Sequence, residues 1–514
     1  MNKNIFKSIL FAGIAGLMMV SCSEDYLETS PQSSTSPATI FESVENAKLA
    51  VNGLSCMMTH QYLGTQGMNG EGTIKTWYGN YPGNDFQKCN LTGWSNTING
   101  NYHANVSSSY DVYPWYYYYK LIGNANQIIC NIDAAEGADN EKNFIKAQAL
   151  VFRAYSFLML SQLYCHRWMD TNGGSDTGIV LRIDTSTGDQ ALASLAETYV
   201  QIYADLDEAI SLFKASGLKR EASHFYEPDI DVAYAVYARA ALTREDWAVA
   251  ANYAAMARQG HKLMTEEQYQ DGCNTPNDEW IWGVYEAADQ TLYYYSFFAY
   301  QGSDSSAGAC RTYPCAISKE LYNQIPATDA RRALWLEPTA AEAKELNAAG
   351  RSTGALYKRA FNEYGDKMYS TSLVYQYMQY KFRVAFLPGG GSFSIFRAAE
   401  MYLTEAEADC HLGKDADAQK LLEQLNAIHN PEYSCAKTGA DLLTEVKLYR
   451  RIDLWGEGFD WFDHKRWGAT LERKSIKDGG SFHNTFAIVV PPQGCNEWTW
   501  VIPRKETDYN KLVN

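Results

Sequence analysis

Aromatic side chains are the residues of this sequence whose number and placement suggest binding chemistry. They make up 14% of the chain, with 37 Tyr and 13 Trp. Tyr and Trp combine a flat apolar face with a polar tip. The face can stack on the C–H face of a sugar ring, while nearby amides and carboxylates bind the sugar hydroxyls. We therefore expect some of these rings to lie on a wet surface rather than in the core.

Two segments, 68–113 and 290–314, concentrate these rings between predicted helices. Long irregular segments in a compact chain are more often functional than accidental, so both are predicted to be loops that line a ligand site. The candidate glycan contacts are Trp77, Tyr78, Trp94 and Asn96 in the first segment and Tyr295, Tyr300, Arg311 and Tyr313 in the second. For any single ring, the alternative is packing in the core or within a loop. Core positions are predicted for Trp280, Trp282, Trp461 and Trp467.

Familiar catalytic motifs do not occur in the sequence. There is no G-x-S-x-G elbow and no H-E-x-x-H helix, and the nine His are scattered. The glycine run at 389–391 lacks the Lys and the Ser or Thr of a phosphate loop, so it predicts a turn. We predict no catalytic residue. A glycosidase, however, needs only two carboxylates across a cleft, and that alternative stays open.

The sequence predicts no metal and no cofactor. The eleven Cys form no C-x-x-C pair that would suggest zinc. Oxygen ligands at 170–176 could surround calcium, but the Gly and distal Glu of a calcium loop are absent, so a polar turn is predicted. Cys310 and Cys315 could close a short disulfide loop, and buried free thiols are the alternative.

Charge and hydropathy exclude two further classes. A formal net charge of −16 would repel a phosphate backbone, so nucleic acid is not a predicted partner. Beyond the N-terminal signal, no apolar stretch has the roughly 20 residues that a membrane-spanning helix needs.

The N-terminus has the layout of a bacterial export signal. Two lysines precede an apolar run, 9–20, that is too short to span a bilayer. A small residue and Cys22 close the run as in a lipobox, so we predict a signal peptide at 1–21 and acylation of Cys22, for example by palmitate. A linker rich in Ser, Thr and Pro follows at 22–40, and its acidic start at 23–25 resembles a surface-export signal. Ordinary cleavage that leaves Cys22 as a free thiol is the alternative.

Hydrophobic periodicity predicts a mainly α-helical fold. Apolar residues fall on one helical face over 147–158 and over 199–213. Paired helical stretches rich in Ala follow at 233–257 and 397–428. Such pairs are typical of tetratricopeptide-like hairpins, and unrelated antiparallel helix packing is the alternative.

Several short motifs occur in a fixed order along the chain. They include Arg153-Ala154-Tyr155, Phe396-Arg397-Ala398-Ala399-Glu400, Arg450-Arg451-Ile452-Asp453-Leu454, Glu457-Gly458, Trp461-Phe462-Asp463 and Ile502-Pro503. Each motif alone is weak, but the ordered set resembles the SusD/RagB family of surface glycan-binding lipoproteins over nearly the whole mature length. The chain departs from the family pattern at Asp453, where Glu is usual, and at Trp455-Gly456, and both departures concern packing.

The resemblance implies a scaffold of tetratricopeptide-like hairpins with a loop-rich ligand-binding portion. It divides the mature chain into an N-terminal region, 41–220, and a C-terminal region, 221–514, packed as one compact unit. It also implies a glycan ligand, a SusC-like TonB-dependent outer-membrane transporter as partner, anchoring to the outer membrane through lipid, and no enzyme activity. Two alternatives stay open: a protein-interaction scaffold of the transporter complex without a sugar site, and a glycoside hydrolase.

Overall fold

The computed structural model describes residues 40–64, 67–285 and 295–513, apart from the side chain of Cys495. The predicted signal peptide, the acylation site Cys22 and the linker up to residue 39 lie outside the described residues. The same holds for residues 290–294 of the second ring-rich segment. Within the described ranges, no helix combines the length and the apolar composition needed to cross a membrane.

Long helices dominate the described chain, as predicted. They are α1 (Val44–Met57), α2 (Ser109–Asn131), α3 (Asp139–Tyr164), α4 (Leu195–Ser216), α5 (Ile230–Thr243), α6 (Trp247–Ala257), α7 (Ala355–Tyr364), α8 (Ala398–His411), α9 (Asp415–Asn426), α10 (Gly439–Asp453) and α11 (Asp460–Trp467). Single-turn helices lie between them at Gly70–Thr73, Ser95–Ile98, Glu266–Gln270, Phe297–Gln301, Gly308–Arg311, Lys319–Tyr322, Ala340–Ala343, Gly494–Glu497 and Arg504–Tyr509, with a π-helix at Ile74–Asn80. Short 3₁₀ turns lie at Ile132–Ala134, Trp168–Asp170, Ala330–Leu334, Gly365–Lys367, Ile476–Asp478 and Asn484–Phe486.

Strands are short and pair two by two in antiparallel ladders. They are β1 (Phe86–Lys88), β2 (Thr177–Val180), β3 (Leu192–Ser194), β4 (Trp280–Val284), β5 (Cys315–Ile317), β6 (Arg351–Ser352), β7 (Val374–Tyr375), β8 (Phe393–Arg397), β9 (Leu471–Glu472) and β10 (Val489–Val490). The pairs are β1 with β5, β2 with β3, β4 with β8, β6 with β7 and β9 with β10. Two of these pairs, β1 with β5 and β4 with β8, join segments that are distant in sequence.

Helices α2 to α6 pack each against the next, and α8 then packs on α6, α9 and α10. The two predicted hairpins are confirmed as α5 with α6 and α8 with α9. Small side chains explain the close α5–α6 contact: Ala233, Ala240, Ala250 and Ala254 are all fully buried. Interaxial distance follows the size of the contacting side chains, so this spacing of Ala favours tight packing.

Local sequence signals set the ends of α4. Ser194 Oγ accepts from the Glu197 backbone N–H, and the Glu197 carboxylate accepts from the Ser194 backbone N–H at 2.8 Å. This capping box satisfies donors that the first turn would leave free. The helix ends at Gly217, whose φ of 64° is a left-handed conformation that glycine adopts at low cost.

The prediction of a loop-like segment at 68–113 was wrong in part. The segment contains the π-helix Ile74–Asn80, the strand β1 and the start of α2. The described part of 290–314 likewise contains two single-turn helices rather than a continuous loop. The sequence carries no helical periodicity at these places. The turns are stabilised by contacts from distant segments, which local periodicity does not reveal.

Four tryptophans were predicted to be core residues. Trp280, Trp282 and Trp461 are buried, at 4%, 0% and 1% exposure, as predicted. Trp467 is partly exposed and donates from Nε1 to the Glu407 carboxylate at 2.7 Å. Its prediction as a core residue was therefore wrong in part, since the ring keeps some exposed surface while Nε1 donates inward to the buried Glu407.

A buried ion network joins the C-terminal motifs. Arg397 donates to Glu279 at 2.7 Å, to Asp453 at 2.6 Å and to Glu457 at 2.8 Å. Arg331 also donates to Asp453, at 3.0 Å. None of these side chains is more than 10% exposed. Each charge therefore depends on its partners for the solvation it has lost.

Two carboxylates of this network, those of Glu457 and Asp453, are held ionised. Burial by itself would raise the pKa of Glu457, but Arg397 and Lys381 lower it to about 2. Burial likewise opposes ionisation of Asp453, and Arg397 and Arg331 hold its pKa well below the ordinary value. Because these pKa values are depressed in the folded state, the stability they contribute is present above about pH 4 and is lost as the pH falls through the folded-state values.

Replacing Arg397 by Met should lower the free energy of unfolding by about 3–5 kcal/mol, because three buried carboxylates lose their shared partner. Urea unfolding followed by circular dichroism measures the loss. The matched control is Lys262→Met, which removes an ion pair of 3.8 Å with Asp278 whose side chains are 82% and 75% exposed. That change should stay within about 0.5 kcal/mol. Equal losses in the two variants would contradict the role given to Arg397.

Asp111, in the first turn of α2, has a buried carboxyl group whose pKa is raised rather than lowered. The residue is 0% exposed, and both carboxylate oxygens lack a hydrogen-bond partner in the described structure. Burial raises its pKa to about 8. Its contribution to stability is therefore complete below about pH 3.9 and is lost as the pH rises towards 8.

Asp111→Asn should gain stability relative to the wild type as the pH is raised from 5 to 8, because Asn removes the cost of ionising a buried carboxyl. The measurement is the difference in Tm between variant and wild type across this range. Asp189→Asn, at an exposed position, is the control and should show a constant difference. A difference for Asp111→Asn that does not change with pH would show that Asp111 does not titrate there.

Candidate functional site

Six aromatic residues from distant parts of the chain form one contact group. We call this group, Trp77, Trp94, Tyr102, Tyr110, Tyr295 and Tyr300, the ring cluster. Ring centroids are 5.1 Å apart between Trp94 and Tyr300 and 5.7 Å between Trp77 and Tyr300. Tyr110 lies 5.3 Å from Trp77 and stacks on Tyr102 at 4.7 Å. Tyr295 lies 6.3 Å from Tyr300. The tertiary structure therefore joins the two ring-rich segments at one place.

The ring cluster has a buried floor and a partly exposed rim. Trp77 and Tyr300 form the floor and are 2% and 1% exposed. The other four rings keep part of their surface open to solvent. A rim of partly exposed rings over a rigid floor offers flat apolar surface at a low entropic cost, because the floor already limits ring motion.

Exposed amides lie at the edge of the rim. Asn96 donates from Nδ2 to the Tyr102 hydroxyl at 3.1 Å, and its Oδ1 accepts from Asn101 at 3.1 Å. Both Asn side chains are exposed. An amide offers a donor and an acceptor side by side, so this edge suits a ligand rich in hydroxyl groups.

Polar atoms without partners lie beneath the rings. Trp77 Nε1, Tyr300 Oη and Asn69 Oδ1 are buried and have no hydrogen-bond partner in the described structure. Gly67 packs directly on this floor: a Cβ there would lie 2.3 Å from Tyr300 Oη, and its φ is +91°. Buried polar groups are normally paired with protein or with water, so these atoms keep unused hydrogen-bonding capacity.

Lys88 fixes the backbone below the ring cluster. Its ammonium is buried and donates to the carbonyls of Tyr300 at 2.7 Å, Ala309 at 3.0 Å and Tyr313 at 2.9 Å. These three bonds use all the N–H groups of a lysine. Lys88 is therefore a tether for the 300–313 segment and has no N–H left for a ligand anion.

The π-helix that carries Trp77 is attached to the buried ion network. Asn80 donates to the Gly456 carbonyl and accepts from the Gly458 backbone N–H, both at 2.8 Å. Lys75 donates to the Glu457 carbonyl at 2.8 Å. Burial and the charge of Arg239 lower the pKa of Lys75 to about 8, against the opposing effect of Glu457. The turn at 456–458 thus positions the floor of the ring cluster.

Glu71, one turn before the π-helix, is held by hydroxyl groups. Tyr118 and Tyr155 donate to its carboxylate at 2.9 Å each, and Tyr117 donates at 3.2 Å. Burial raises the pKa of Glu71, while these hydrogen bonds lower it. The tyrosines lie on α2 and α3, so Glu71 ties the π-helix region to the helical scaffold.

The predicted contact residues lie in different places in the structure. Trp94 and Tyr295 lie on the rim and Asn96 at its edge, close together as a site requires. Trp77 and Tyr300 are corrected from exposed contacts to buried support. Tyr78 is also corrected: it is 0% exposed and donates to the Tyr110 carbonyl at 2.6 Å, inside the core. Trp77 and Tyr78 are turned inward on the π-helix, and Tyr300 lies in the single-turn helix Phe297–Gln301.

Arg311 and Tyr313 are not brought to the rim by any contact of the described residues. Arg311 donates to Thr371 Oγ1 at 3.2 Å, and Tyr313 is held through its carbonyl by Lys88. Both side chains are partly buried. This geometry does not support their assignment as ligand contacts. Residues of the same loop can point their side chains in different directions.

Sequence reasoning did not single out Tyr102, Tyr110, Asn101 or Lys88. Tyr102 and Tyr110 lie within the ring-rich first segment, so their residue type alone was a usable signal. The strand that buries Lys88, Phe86–Lys88, is too short to show alternation. No local pattern indicated that this lysine would meet three carbonyls from residues more than two hundred positions away.

Two places could suggest a metal and are explained by other contacts. Asp85, Asp460 and His464 lie close enough together for one ion. However, Asp460 accepts from the backbone N–H groups of 84, 85 and 86, and Arg451 donates twice to Asp85. In the turn at 170–176, Arg167 pairs with Asp170, and His166 lies 2.9 Å from Asp176. These carboxylates are neutralised by basic groups or by amides.

Comparisons with known proteins agree with the helical fold. A SusD-like carbohydrate-binding protein from Bacteroides vulgatus ATCC 8482 is 24% identical to this chain, with a TM-score of 0.75 over 92% of this chain and 98% of that chain. A SusD superfamily protein from Bacteroides thetaiotaomicron VPI-5482 is 21% identical, with a TM-score of 0.71 over 92% and 99%. A further one from B. vulgatus ATCC 8482 is 20% identical, with a TM-score of 0.73 over 92% and 98%. The comparison with curated protein sequences finds no match.

Two family models together span nearly all of the described chain. Residues 25–242 match the SusD-like model described as starch-binding associating with outer membrane. Residues 246–510 match the model described as the SusD family. That second match alone covers more than half of the sequence, so this chain belongs to the SusD/RagB family.

Proposed function

We propose that this protein binds an oligosaccharide or polysaccharide at the ring cluster and delivers it to a TonB-dependent transporter of the outer membrane. The observation that carries the binding step is the partly exposed rim, Trp94, Tyr102, Tyr110 and Tyr295, with exposed amides at its edge. Rings stack on the C–H faces of sugars, and amides bind their hydroxyls. Trp77 and Tyr300 support these rings from beneath, and Trp77 Nε1 and Tyr300 Oη have no partner among the described residues.

The proposed activity is binding without catalysis. Among the described residues, the ring cluster contacts rings, amides and hydroxyls, whereas glycoside hydrolysis needs two carboxyl groups placed on either side of the scissile bond. The acid closest in sequence to a rim residue is Asp111, and it is 0% exposed. A binder of this kind requires modest affinity, because display of many copies on one surface adds avidity.

The proposed location is the outer face of the outer membrane, with acyl chains on Cys22 as the anchor. The family model that matches residues 25–242 is described by association with the outer membrane, which supports this location. Stable anchoring takes more than one acyl chain or a second signal. The SusC-like transporter is proposed as partner from the family resemblance, and delivery to it completes the proposed role.

Trp94→Ala should weaken glycan binding roughly ten- to hundredfold, because the loss of one stacking face removes about 1.5–3 kcal/mol. Isothermal calorimetry on the form lacking residues 1–22 measures this, with the tightest-binding member of a panel of neutral and acidic oligosaccharides. Trp247→Ala is the matched control: Trp247 is also partly exposed, but it stacks on His411 at 3.8 Å in the scaffold. Thermal unfolding confirms that both variants fold.

Two outcomes would contradict the binding proposal. Unchanged affinity in Trp94→Ala would remove the ring cluster from the binding site. A wild type that binds no glycan while copurifying with a TonB-dependent transporter would favour the scaffold alternative. A reducing-end assay on the same mixtures covers the third class, since release of sugar would favour a hydrolase.

Cys22→Ala should abolish acylation and move the protein out of the membrane fraction, because the thiol is the proposed attachment point. Metabolic labelling with an alkynyl palmitate and cell fractionation measure the two effects. Cys56→Ala, which changes an exposed cysteine of α1, should leave both unchanged. Label retained on Cys22→Ala, or absent from the wild type, would overturn the anchor while leaving the glycan-binding measurements unaffected.

A further inference from the structure

Two buried thiols lie in contact under the ring cluster. Cys310 is in the single-turn helix Gly308–Arg311, and Cys315 begins β5. They are 3% and 1% exposed, and both are reduced. The Cys310 thiol hydrogen-bonds to Cys315, and the Cys315 Sγ lies 3.2 Å from the Tyr300 carbonyl as its donor. The pair therefore connects directly to the backbone of a floor residue.

The surroundings make the two thiols unequal. Burial by itself would raise the pKa of Cys315, but the hydrogen bond from Cys310 and the charge of Lys88 lower it to about 7. Cys310 donates this hydrogen bond. That donation is the larger cause, and burial the next, of the raised pKa of Cys310. Lys88 and Cys315 lie directly opposite each other in the β1–β5 ladder, which explains why the charge of Lys88 acts on the Cys315 thiol. A thiolate is the reactive form in thiol–disulfide exchange, so Cys315 is the attacking residue.

We propose that Cys310 and Cys315 are a dithiol that a disulfide-class oxidant converts into an intramolecular disulfide, which holds the 300–315 segment in place beneath the ring cluster. The proposal does not depend on the identity of the ligand or on glycan binding itself. It concerns a covalent modification site formed by two residues that already touch.

The exchange balances in two steps. Because both sulfurs are buried in the folded segment, the exchange starts while the segment is open or still folding. The Cys315 thiolate then attacks one sulfur of the oxidant, whose S–S bond breaks and releases one thiolate, leaving a mixed disulfide on Cys315. The Cys310 sulfur, after losing its proton, attacks Cys315 Sγ and displaces the second thiolate. Two electrons and two protons pass from the cysteines to the oxidant, which leaves as two thiols.

The disulfide would add to constraints that already act on this segment. Lys88 holds the carbonyls of Tyr300, Ala309 and Tyr313, and β5 pairs with β1. The hydrogen bond between the two thiols makes their sulfur atoms neighbours, as a disulfide requires. Oxidation removes the Cys315 S–H donor, but the Tyr300 carbonyl keeps its hydrogen bond from Lys88. The bond can therefore form without breaking the tether.

Peptide mapping tests bond formation. The form lacking residues 1–22 is equilibrated, and in parallel refolded, in graded mixtures of oxidised and reduced glutathione, then alkylated and digested with trypsin without reduction. Trypsin cleaves after Arg311 and separates the two cysteines, so a disulfide is seen as two joined peptides. We expect this joined product to increase with the oxidised fraction and to be missing from Cys310→Ser. Cys410→Ser, at a partly exposed thiol of α8, should leave it unchanged.

Hydrogen exchange tests the consequence for the segment. Amides of 300–315 should exchange several-fold more slowly in the oxidised than in the reduced protein, while amides of α8 should exchange equally. Cys310→Ser should show no dependence on the glutathione ratio. If Cys310 and Cys315 are both alkylated at the most oxidising ratio in the refolded samples, the disulfide is disproved. If it forms and exchange at 300–315 does not change, its effect on the segment is disproved.

Discussion

The rest of this structure depends on the requirement that buried charges find partners. Arg397 is the last residue of β8, directly before α8, and it donates to carboxylates from the residue before β4, from the end of α10 and from the turn that follows. A charge of either sign taken out of water costs several kcal/mol unless it is paired and hydrogen-bonded. The network can be satisfied only when all these segments are in place together. Hydrophobic packing brings the helices together, and the network specifies their arrangement.

The same requirement extends from the scaffold to the proposed ligand site. The turn at 456–458 supplies Glu457 to the network and, through its backbone, holds Asn80 and Lys75 of the π-helix. Trp77 lies on that π-helix and forms the floor under the rim. A π-helix seven residues long is rare, and such turns occur frequently at functional sites. Its attachment to a satisfied charge network explains how an unfavourable backbone turn can persist.

The 300–313 segment, which forms the other half of the proposed site, is held by different contacts. Lys88 gathers three carbonyls from the 300–313 segment, and two reduced thiols lie alongside. The two parts of the floor are therefore held by different contacts. The π-helix is held through the charge network, and the 300–313 segment is held by a buried ammonium that donates to backbone oxygens. Of the six rings in the cluster, only those of the rim, Trp94, Tyr102, Tyr110 and Tyr295, keep surface open to solvent. This division between a rigid floor and an exposed rim suits a weak, specific binder.

The sequence by itself determined the helical class and the two hairpins, because periodicity and Ala spacing are local properties. It also determined the family, through ordered motifs whose residues meet in the ion network, and it indicated that aromatic residues would form the site. The tertiary structure alone decided which rings are exposed: Trp77, Tyr78 and Tyr300 are buried, whereas Tyr102 and Tyr110 reach the surface. The physical reason is that side-chain direction in irregular segments follows from contacts with distant residues, such as Asn80 with Gly456 and Lys88 with Tyr300. No local pattern in the chain encodes those contacts.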